Sequence, residues 1–398
     1  MIINDIFVKE IFDSRQNSTI EVGIIDEKNQ QFLADIPAGK SRGKNEAVVK
    51  SYKEAKEIAN NLKKNLKNKN FQSIKDFDEF LLKIDSTSNK EKLGGNLTLG
   101  LSLAFSRAIA KSRGQELWQT LRQDFFPMAL EKMPLIFSNL INGGLHAQND
   151  LNIQEYLVIV NPDNSIKEAI NSLKSFYQRL GETLKKEYNL AAIDFGDEEG
   201  YSLEFESNLK PLEILSQLIK DLNLENKYKL GIDAAASDFF SNNYYYFENK
   251  KLSAEKLNQI YLDYFKKIPQ LYSIEDPFDE EDPDSFKNLL SLTKEKIIIG
   301  DDLTVSNPVF IKKFGEGKFI NGVIIKPNQV GTVLETCKSI KIGQENNLKI
   351  ILSHRSGETS DPFVIDFAKA CGADGVKIGA PMGSRLPRFA RLEEIYSS

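Results

Sequence analysis

The chain has 398 residues, of which 41% are hydrophobic and 27% are charged. This composition is typical of a globular protein with a large core, and the length suits two or three domains. The 52 basic and 57 acidic residues give a net charge of −5 and are interleaved, which disfavours binding to nucleic acid or to a membrane surface. With only two cysteines and no apolar run of signal or membrane-spanning length, the sequence predicts a cytoplasmic protein.

The N-terminal third predicts a domain of its own. Residues 4–12 and 19–36 alternate apolar with polar side chains, and the polar segment DEKNQQ separates two β-rich runs, which predicts a hairpin in a small sheet. Residues 45–125 contain no proline and carry apolar residues three and four apart, which predicts helices. Strands followed by helices indicate an α+β domain over residues 1–127.

From residue 128 onward, short apolar runs alternate with helical segments. Six of these runs end on a charged or histidine side chain, namely Asp233, Glu275, Asp301, Lys326, His354 and Lys377. From Glu275 on, these positions are 23 to 28 residues apart, which fits one strand, one helix and two loops. Parallel strands joined by helices predict an α/β fold, a (β/α)8-type barrel over residues 128–398, with its active site at the carboxyl ends of the strands.

Three earlier apolar runs supply further strands. They are PLIFSNLING, IQEYLVIV and LAAIDFGD. Too few residues separate the first two runs for a crossover helix, so we expect the barrel to open with an antiparallel pair.

Three acids end three successive runs and should lie side by side around one rim. Converging carboxylates such as Asp233, Glu275 and Asp301 repel one another unless a divalent cation neutralises them, and oxygen ligands favour Mg²⁺ over zinc. Alternatively, each acid caps the helix that follows it. Because the three occupy consecutive strand ends, the metal site is the stronger hypothesis.

The next strand ends are basic. Beside other cations and a metal, Lys326 or Lys377 would have a lowered pKa and could serve as a general base, which makes carbon-acid chemistry possible. The alternative is that both lysines only neutralise the carboxylates. Arg355 and Ser356 suit binding of a phosphate or carboxylate group on a loop, although for an isolated Arg-Ser pair a surface salt bridge is the favoured interpretation.

The chain's only two histidines fall on loops at the predicted barrel mouth. His146 follows a glycine pair in INGGLHAQND, and His354 ends the run KIILSH. Glu155 comes nine residues after His146, and Glu198 lies in the loop sequence FGDEEG. These side chains are further candidates for the site.

The chain resembles the enolase family over nearly its whole length. DSRQNST, PAGKSRGKNEA and LGGNLTLGLSLA resemble motifs of that family's N-terminal domain. INGGLHA, IQEY, GDEEG, SIEDPF, GDDLTVSNP, IIKPNQVGT and SHRSGETSD follow in the family's order, and SIEDPF, GDDLTVSNP and SHRSGET together are highly specific. The resemblance implies a barrel of ββαα(βα)6 order behind an N-terminal capping domain.

The resemblance also implies the reaction and its metal ions. Enolases are hydro-lyases that interconvert 2-phosphoglycerate and phosphoenolpyruvate in glycolysis, and a lysine base with one or two Mg²⁺ ions is known for their superfamily. Asp233, Glu275 and Asp301 would hold the first Mg²⁺, and Ser41 would help to hold a second. The family resemblance further implies a homodimer or an octamer of four dimers.

Roles for the other site residues follow by the same resemblance. Lys326 would remove the C2 proton, Glu198 would assist departure of the C3 hydroxyl, and Lys377 would stabilise the charged intermediate. The remaining catalytic or substrate-binding residues would be His146, Gln154, Glu155, His354, Arg355 and Ser356.

Several positions depart from the family pattern. Gln16 and Glu199 stand where the family has glycine, and Glu199 would strain its loop if the backbone there has positive φ. Lys40 and Arg42 add positive charge to a lid in which the family has small residues. These changes bear on lid closure and rate.

Two other functions are alternatives to an active enolase. A related lyase or racemase of the same superfamily would carry a Lys-x-Lys pair on its second barrel strand, and NIQEYLVIV contains no lysine. A diverged enolase-like scaffold with reduced activity and a binding role is favoured only by Glu199 and the basic lid. Mg²⁺-dependent turnover of 2-phosphoglycerate discriminates both from an enolase.

Overall fold

The computed structural model describes residues 1–39 and 45–397. An antiparallel sheet opens the chain, with β1 (Ile3–Phe12), β2 (Ser18–Asp26) and β3 (Gln31–Ile36) in that order. The carboxylate Oδ1 of Asp13 accepts hydrogen bonds from the backbone N–H groups of Arg15 (2.9 Å) and Asn17 (2.8 Å). These bonds hold the first turn with Gln16 at φ 62°, where the family has glycine. The predicted hairpin is confirmed as β2 and β3, and the alternating run at residues 4–12 forms β1, which pairs with β2.

The helices predicted for residues 45–125 are also present. They are α1 (Tyr52–Leu66), α2 (Ile74–Ile84), α3 (Gly95–Ser112) and α4 (Leu117–Phe125). Ser51 begins α1 with a capping box, since its side chain accepts from the Glu54 N–H while the Glu54 carboxylate accepts from the Ser51 N–H. Helix α3 packs on the sheet so closely that a Cβ on Gly100 would lie 2.3 Å from Val22 Cγ2.

Within residues 45–397, eight strands close into a barrel. They are β4 (Leu135–Asn142), β5 (Glu155–Val160), β8 (Tyr228–Asp233), β12 (Leu271–Glu275), β13 (Ile297–Gly300), β14 (Gly322–Ile325), β15 (Lys349–Ser353) and β16 (Gly375–Ile378). Strand β5 is antiparallel to both of its neighbours, and β16 pairs with β4 to close the ring. The predicted antiparallel opening pair is confirmed.

Helices surround the barrel in the order ββαα(βα)6, which confirms the fold class. They are α5 (Ile166–Glu187), α6 (Lys210–Asp221), α7 (Ala254–Lys267), α8 (Pro283–Leu292), α9 (Pro308–Glu316), α10 (Pro327–Val330), α11 (Val333–Glu345), α12 (Phe363–Cys371) and α13 (Leu386–Tyr396). None of the helices in residues 1–39 and 45–397 is long and apolar enough to cross a membrane.

The run LAAIDFGD does not form a barrel strand, contrary to the prediction. It contributes only β6 (Asp194–Phe195), which pairs with β7 (Tyr201–Ser202). Both residues of β6 are exposed, so this apolar run lies outside the barrel interior. A second small sheet follows β8, formed by β9 (Phe240–Ser241), β10 (Tyr244–Phe247) and β11 (Lys250–Leu252).

Side-chain alternation along the strands places the polar strand ends over an apolar interior. Leu157, Ile159 and Ile324 belong to a buried apolar cluster that is separate from the main hydrophobic core and comes mainly from barrel strands. Glu155 lies two residues from Leu157, and Lys326 lies two residues from Ile324. Because residues two apart on a strand face the same side, these charged side chains lie above the apolar layer, at the mouth.

The N-terminal region docks against the mouth. Ala38 and Gly357 exchange two backbone hydrogen bonds of 2.9 and 3.0 Å. The guanidinium of Arg107 on α3 binds the carboxylate of Asp361 through both terminal nitrogens, at 2.7 and 2.5 Å. The loop that follows β15 is therefore held from both sides.

Candidate active site

One buried cavity at the barrel mouth collects nearly every predicted site residue. The predicted residues that line it are His146, Gln154, Glu155, Glu198, Asp233, Asp301, Lys326, His354, Arg355, Ser356 and Lys377. Glu275 lies beside the cavity, in contact with Lys377. Ser41, Lys40 and Arg42 lie outside the described residues.

Lys377 on β16 lies among three buried carboxylates. Its Nζ lies 2.9 Å from Asp233 Oδ2, 2.8 Å from each carboxylate oxygen of Glu275, and 3.0 Å from Glu155 Oε2. Register explains the convergence, since Asp233 is the strand partner of both Glu155 and Glu275. Burial alone would lower the pKa of Lys377, but the carboxylates raise it well above its usual value, so the ammonium stays charged.

Lys326, at the end of β14, donates to Asp301 Oδ2. Burial alone would lower the pKa of Lys326, and Asp301 raises it to about 12. The direction is opposite to the sequence prediction, because this ion pair outweighs the neighbouring cations Arg355 and Lys377.

The three predicted metal ligands share the rim but bind different lysines. Asp233 and Glu275 contact Lys377, whereas Asp301 contacts Lys326. Among the described residues, Asp301 offers an oxygen within 4.8 Å of Asp276 and Asp302.

The charges at the rim fit a divalent cation. Counted as ionised, the four carboxylates that these two lysines touch, Glu155, Asp233, Glu275 and Asp301, exceed the two ammonium charges by two. Carboxylate oxygens are the ligands that Mg²⁺ prefers. Burial raises the pKa of Glu275 well above its usual value, as expected where nearby positive charge is insufficient.

Glu198 faces two histidines. His354 Nε2 lies 3.1 Å from Glu198 Oε2, and Asn139 Nδ2 donates to the same oxygen at 3.3 Å. The ligand atoms of His146, Glu155 and Glu198 all lie within 4.8 Å of one another. Burial lowers the pKa of His354 to about 4, which leaves this imidazole neutral near neutral pH. Burial alone would raise the pKa of Glu198, but the His354 contact and the positive charge of Arg385 lower it well below its usual value.

The backbone that presents Glu198 has positive φ at the next residue. Glu199 has φ 66°, so the glycine of the family pattern is replaced at a left-handed position. Two hydrogen bonds to backbone carbonyls fix this loop. Tyr177 Oη donates to the Glu199 carbonyl at 2.6 Å, and the Ala380 N–H donates to the Glu198 carbonyl at 3.0 Å. The Glu199 carboxylate accepts from the Ser384 N–H and Oγ, each at 3.3 Å.

Arg355 contacts a carboxylate from the N-terminal region. Its Nη1 lies 3.2 Å from Glu46 Oε2, and its Nη2 lies 3.4 Å from Glu46 Oε1. A Cβ on Gly39 would lie 1.7 Å from Arg355 Nη2, so this segment approaches the guanidinium closely. Two residues of the motif PAGKSRGKNEA, Gly39 and Glu46, therefore reach Arg355, the residue predicted to bind phosphate.

Sequence reasoning missed Asp276 and Asp302, which line the cavity, and three further residues that contact predicted site residues. Glu46 contacts Arg355, Asn139 contacts Glu198, and Arg385 Nη1 lies 3.1 Å from His354 Nδ1. Glu46 lies within the motif PAGKSRGKNEA, and this position is a signal that could have been used. Asn139 and Arg385 lie within strand β4 and after β16, where the chain pattern gives no such signal.

A ββαα(βα)6 barrel with acids and two lysines at its mouth, capped by an α+β region, defines the metal-binding barrel lyases of the enolase type. Comparison with known families gives the particular family. The family model "Enolase, C-terminal TIM barrel domain" matches residues 131–397, and "Enolase, N-terminal domain" matches residues 3–121. The chain belongs to the enolase family and is a hydro-lyase.

Curated relatives named enolase agree with this assignment. The enolase of Sulfolobus acidocaldarius is 38% identical over 399 residues, which cover 97% of this chain and 93% of the relative. Those of Sulfurisphaera tokodaii and Saccharolobus solfataricus are 36% and 37% identical, with the same coverage of both chains.

Proposed function

We propose that this chain catalyses the reversible dehydration of 2-phospho-D-glycerate to phosphoenolpyruvate, the enolase step of glycolysis and gluconeogenesis, with two Mg²⁺ ions per site. The observation that carries the proposal is that Lys326, Glu198 and Arg355 line one buried cavity. The reaction requires a base, an acid and a side chain that binds the phosphate, and these would be Lys326, Glu198 and Arg355 respectively.

Metal ions belong at the acidic rim. Asp233, Glu275 and Asp301 would hold the first Mg²⁺, and Ser41 would help to hold the second. When bound, these ions supply the positive charge that makes loss of the weakly acidic C2 proton feasible. Lys377 adds fixed positive charge between Asp233 and Glu275.

Lys326 accepts the C2 proton at Nζ in the proposed reaction. This amine must be unprotonated to do so, whereas its contact with Asp301 raises its pKa to about 12 in the metal-free chain. Neutralisation of the Asp301 charge removes the main cause of that rise, so the base is predicted to become competent only in the loaded site.

Glu198 protonates the departing C3 hydroxyl, with His146 and His354 beside it. Its pKa lies well below the usual value in the substrate-free chain. A substrate that carries both phosphate and carboxylate brings negative charge into the pocket and raises that pKa, which favours the protonated acid. Arg355 and Ser356 hold the phosphate, and Gln154 and Glu155 complete the wall of the cavity.

The same proposal extends to organisation and setting. We infer that residues 1–127 form the capping domain and residues 128–398 the barrel. We also infer a cytoplasmic homodimer, or an octamer built from four dimers, that acts on a small-molecule substrate.

The test is a direct assay on the full chain. Purified protein with Mg²⁺ should convert 2-phosphoglycerate to an enol phosphate that absorbs in the ultraviolet, and EDTA should abolish the signal. Lys326→Ala should lose turnover while staying folded. The matched control is Lys90→Ala, because Lys90 is also buried and also pairs with an acid, Glu335 at 2.8 Å, yet is absent from the lining of the cavity. No turnover by the wild-type chain at saturating Mg²⁺ would overturn the proposal.

A further inference from the structure

Arg385 is a fully buried arginine that joins the two catalytic loops. It is 0% exposed and lies at the N-terminal end of α13. Its Nη2 donates to the carbonyls of Asp197 and Ser356, each at 2.7 Å, and its Nη1 donates to the carbonyl of Arg355 at 2.8 Å. One guanidinium therefore holds the loop of the proposed acid against the loop of the proposed phosphate ligand.

The same Nη1 lies 3.1 Å from His354 Nδ1. A guanidinium carries only donors, so Nδ1 must be the acceptor and can hold no proton. The single proton of the neutral imidazole is then on Nε2, which lies 3.1 Å from Glu198 Oε2. The contact between His354 and Glu198 is thus a donated hydrogen bond from a neutral ring.

This arrangement distinguishes the two oxygens of Glu198. Oε2 already accepts from His354 Nε2 and from Asn139 Nδ2. A proton on the carboxyl group is therefore placed on Oε1. If His354 were protonated at both nitrogens, the pair would become an imidazolium and a carboxylate, and the acid would have lost its transferable proton.

We propose that Arg385 is a positioning residue that keeps His354 neutral with its proton on Nε2, so that Glu198 can carry the transferred proton on Oε1. The inference rests on the proposed role of Glu198 as the acid. In the dehydration step the Glu198 O–H bond breaks and its proton goes to the C3 hydroxyl. The C3–O bond breaks with its electron pair as water leaves, and the electron pair left at C2 forms the C2–C3 double bond.

The charges around His354 support the inference. Burial lowers its pKa to about 4, the adjacent Glu198 opposes that effect, and Arg385 and Lys377 add to it. Arg385 is the cation in direct contact with the ring, so its removal should raise the affinity of Nδ1 for a proton.

The chain's two histidines make the ring directly observable. In protein labelled with ¹⁵N-histidine, long-range ¹H–¹⁵N spectra across a pH series report which ring nitrogen carries a proton. Wild type should show His354 protonated on Nε2 alone near neutral pH. In Arg385→Met the pKa of His354 should rise by about one unit or more, with Nδ1 gaining the proton. A wild-type ring protonated on Nδ1, or an unchanged titration in Arg385→Met, would overturn the proposal.

Arg388 offers a matched control. It is equally buried and donates to the carbonyls of Thr359 (2.5 Å) and Asp361 (3.2 Å) and to Glu358. Arg388→Met should lower stability without moving the His354 titration. Arg385→Lys, which keeps a positive charge, should restore most of the low His354 pKa. If Arg385→Met fails to fold, the neutral variant Arg385→Gln replaces it in the titration, with the same expected rise in the His354 pKa.

Kinetics give the second readout. Arg385→Met should lower kcat about tenfold to a hundredfold. It should also shift the acidic limb of the kcat–pH profile to higher pH, whereas Arg388→Met should leave that limb in place. In a His354→Gln background, Arg385→Met should lower kcat by less than about threefold, because Arg385 acts through His354. An equal cost in both backgrounds would contradict action through His354. The titration needs no substrate, so its failure is distinguishable from a failure of the wild-type chain to turn over 2-phosphoglycerate.

Discussion

The ammonium of Lys377 lies 2.8 Å from both carboxylate oxygens of Glu275. Both side chains are 3% exposed, so this contact is made out of reach of bulk water. A buried charge that loses its partner is costly, whereas a second cation can take the partner's place. A divalent cation bound at this rim would therefore have an electrostatic role related to that of Lys377.

We predict that Lys377→Met destabilises the metal-free chain by about 3–5 kcal/mol, because it leaves buried carboxylates unpaired. Added Mg²⁺ should restore more stability to this variant than to wild type, as measured by urea unfolding with EDTA and with Mg²⁺. Lys349→Met is the control, since Lys349 is 52% exposed and pairs only at the surface. An equal gain from Mg²⁺ in variant and wild type would contradict the idea.

A second prediction concerns the carboxylate beside Arg355. Glu46 contacts both terminal nitrogens of this guanidinium and so competes with an anion for it. Glu46→Gln should tighten inhibition by inorganic phosphate by about threefold to tenfold, a change of about 0.7–1.4 kcal/mol. The inhibition constant measured against 2-phosphoglycerate turnover checks this. Glu57→Gln on the exposed face of α1 removes the same charge elsewhere and should leave the constant unchanged. Weaker phosphate inhibition would show that Glu46 chiefly orients Arg355.

The rim was predictable from the sequence because strand periodicity is local. Asp233, Lys326 and Lys377 end apolar runs, and residues at the ends of parallel strands meet at one edge. Which lysine pairs with which acid depends on side-chain directions across neighbouring strands, and those are set by register and packing. The direction of the Lys326 pKa was wrong for this reason, since the sequence does not show its contact with Asp301.

Residues that act across the fold were not predictable. Arg385 and His354 are 31 positions apart, and the parallel pairing of β15 with β16 brings the turn after β16 against the loop after β15, where side-chain packing sets the contact. The run LAAIDFGD was wrongly predicted to supply a barrel strand. Its apolar pattern is that of a strand, but its two paired residues are exposed and lie outside the barrel. Local pattern specifies elements, whereas these contacts come from tertiary packing.

A third prediction uses a buried acid between the two regions of the chain. Asp78 on α2 is 0% exposed, and its Oδ2 accepts from the Leu334 N–H of α11 at 2.8 Å. Burial raises the pKa of Asp78 to about 7 from an ordinary 3.8. A folded-state pKa above the unfolded one gives stability that is present below pH 4 and is lost as pH rises towards 7.

Asp78→Asn removes this titration. Relative to the variant, wild type should lose stability between about pH 4 and pH 7, measured as the free energy of unfolding in urea at several pH values. Glu79→Gln on the exposed face of the same helix controls for the loss of a negative charge. A pH-independent difference between wild type and Asp78→Asn would contradict the assignment.

The last prediction concerns Glu199, the residue at φ 66° beside the proposed acid. Glu199→Gly should relieve about 1 kcal/mol of backbone strain and lose the two 3.3 Å contacts with Ser384, so the net change in unfolding free energy should be within about 1 kcal/mol. The bonds from Tyr177 to the Glu199 carbonyl and from Ala380 to the Glu198 carbonyl are made to the backbone and persist in the variant. We therefore expect kcat to change less than about threefold. Tyr177→Phe, which removes the hydrogen bond to the Glu199 carbonyl, should lower kcat more than Glu199→Gly does. The reverse order would show that the Glu199 side chain, and not the backbone, holds Glu198 in place.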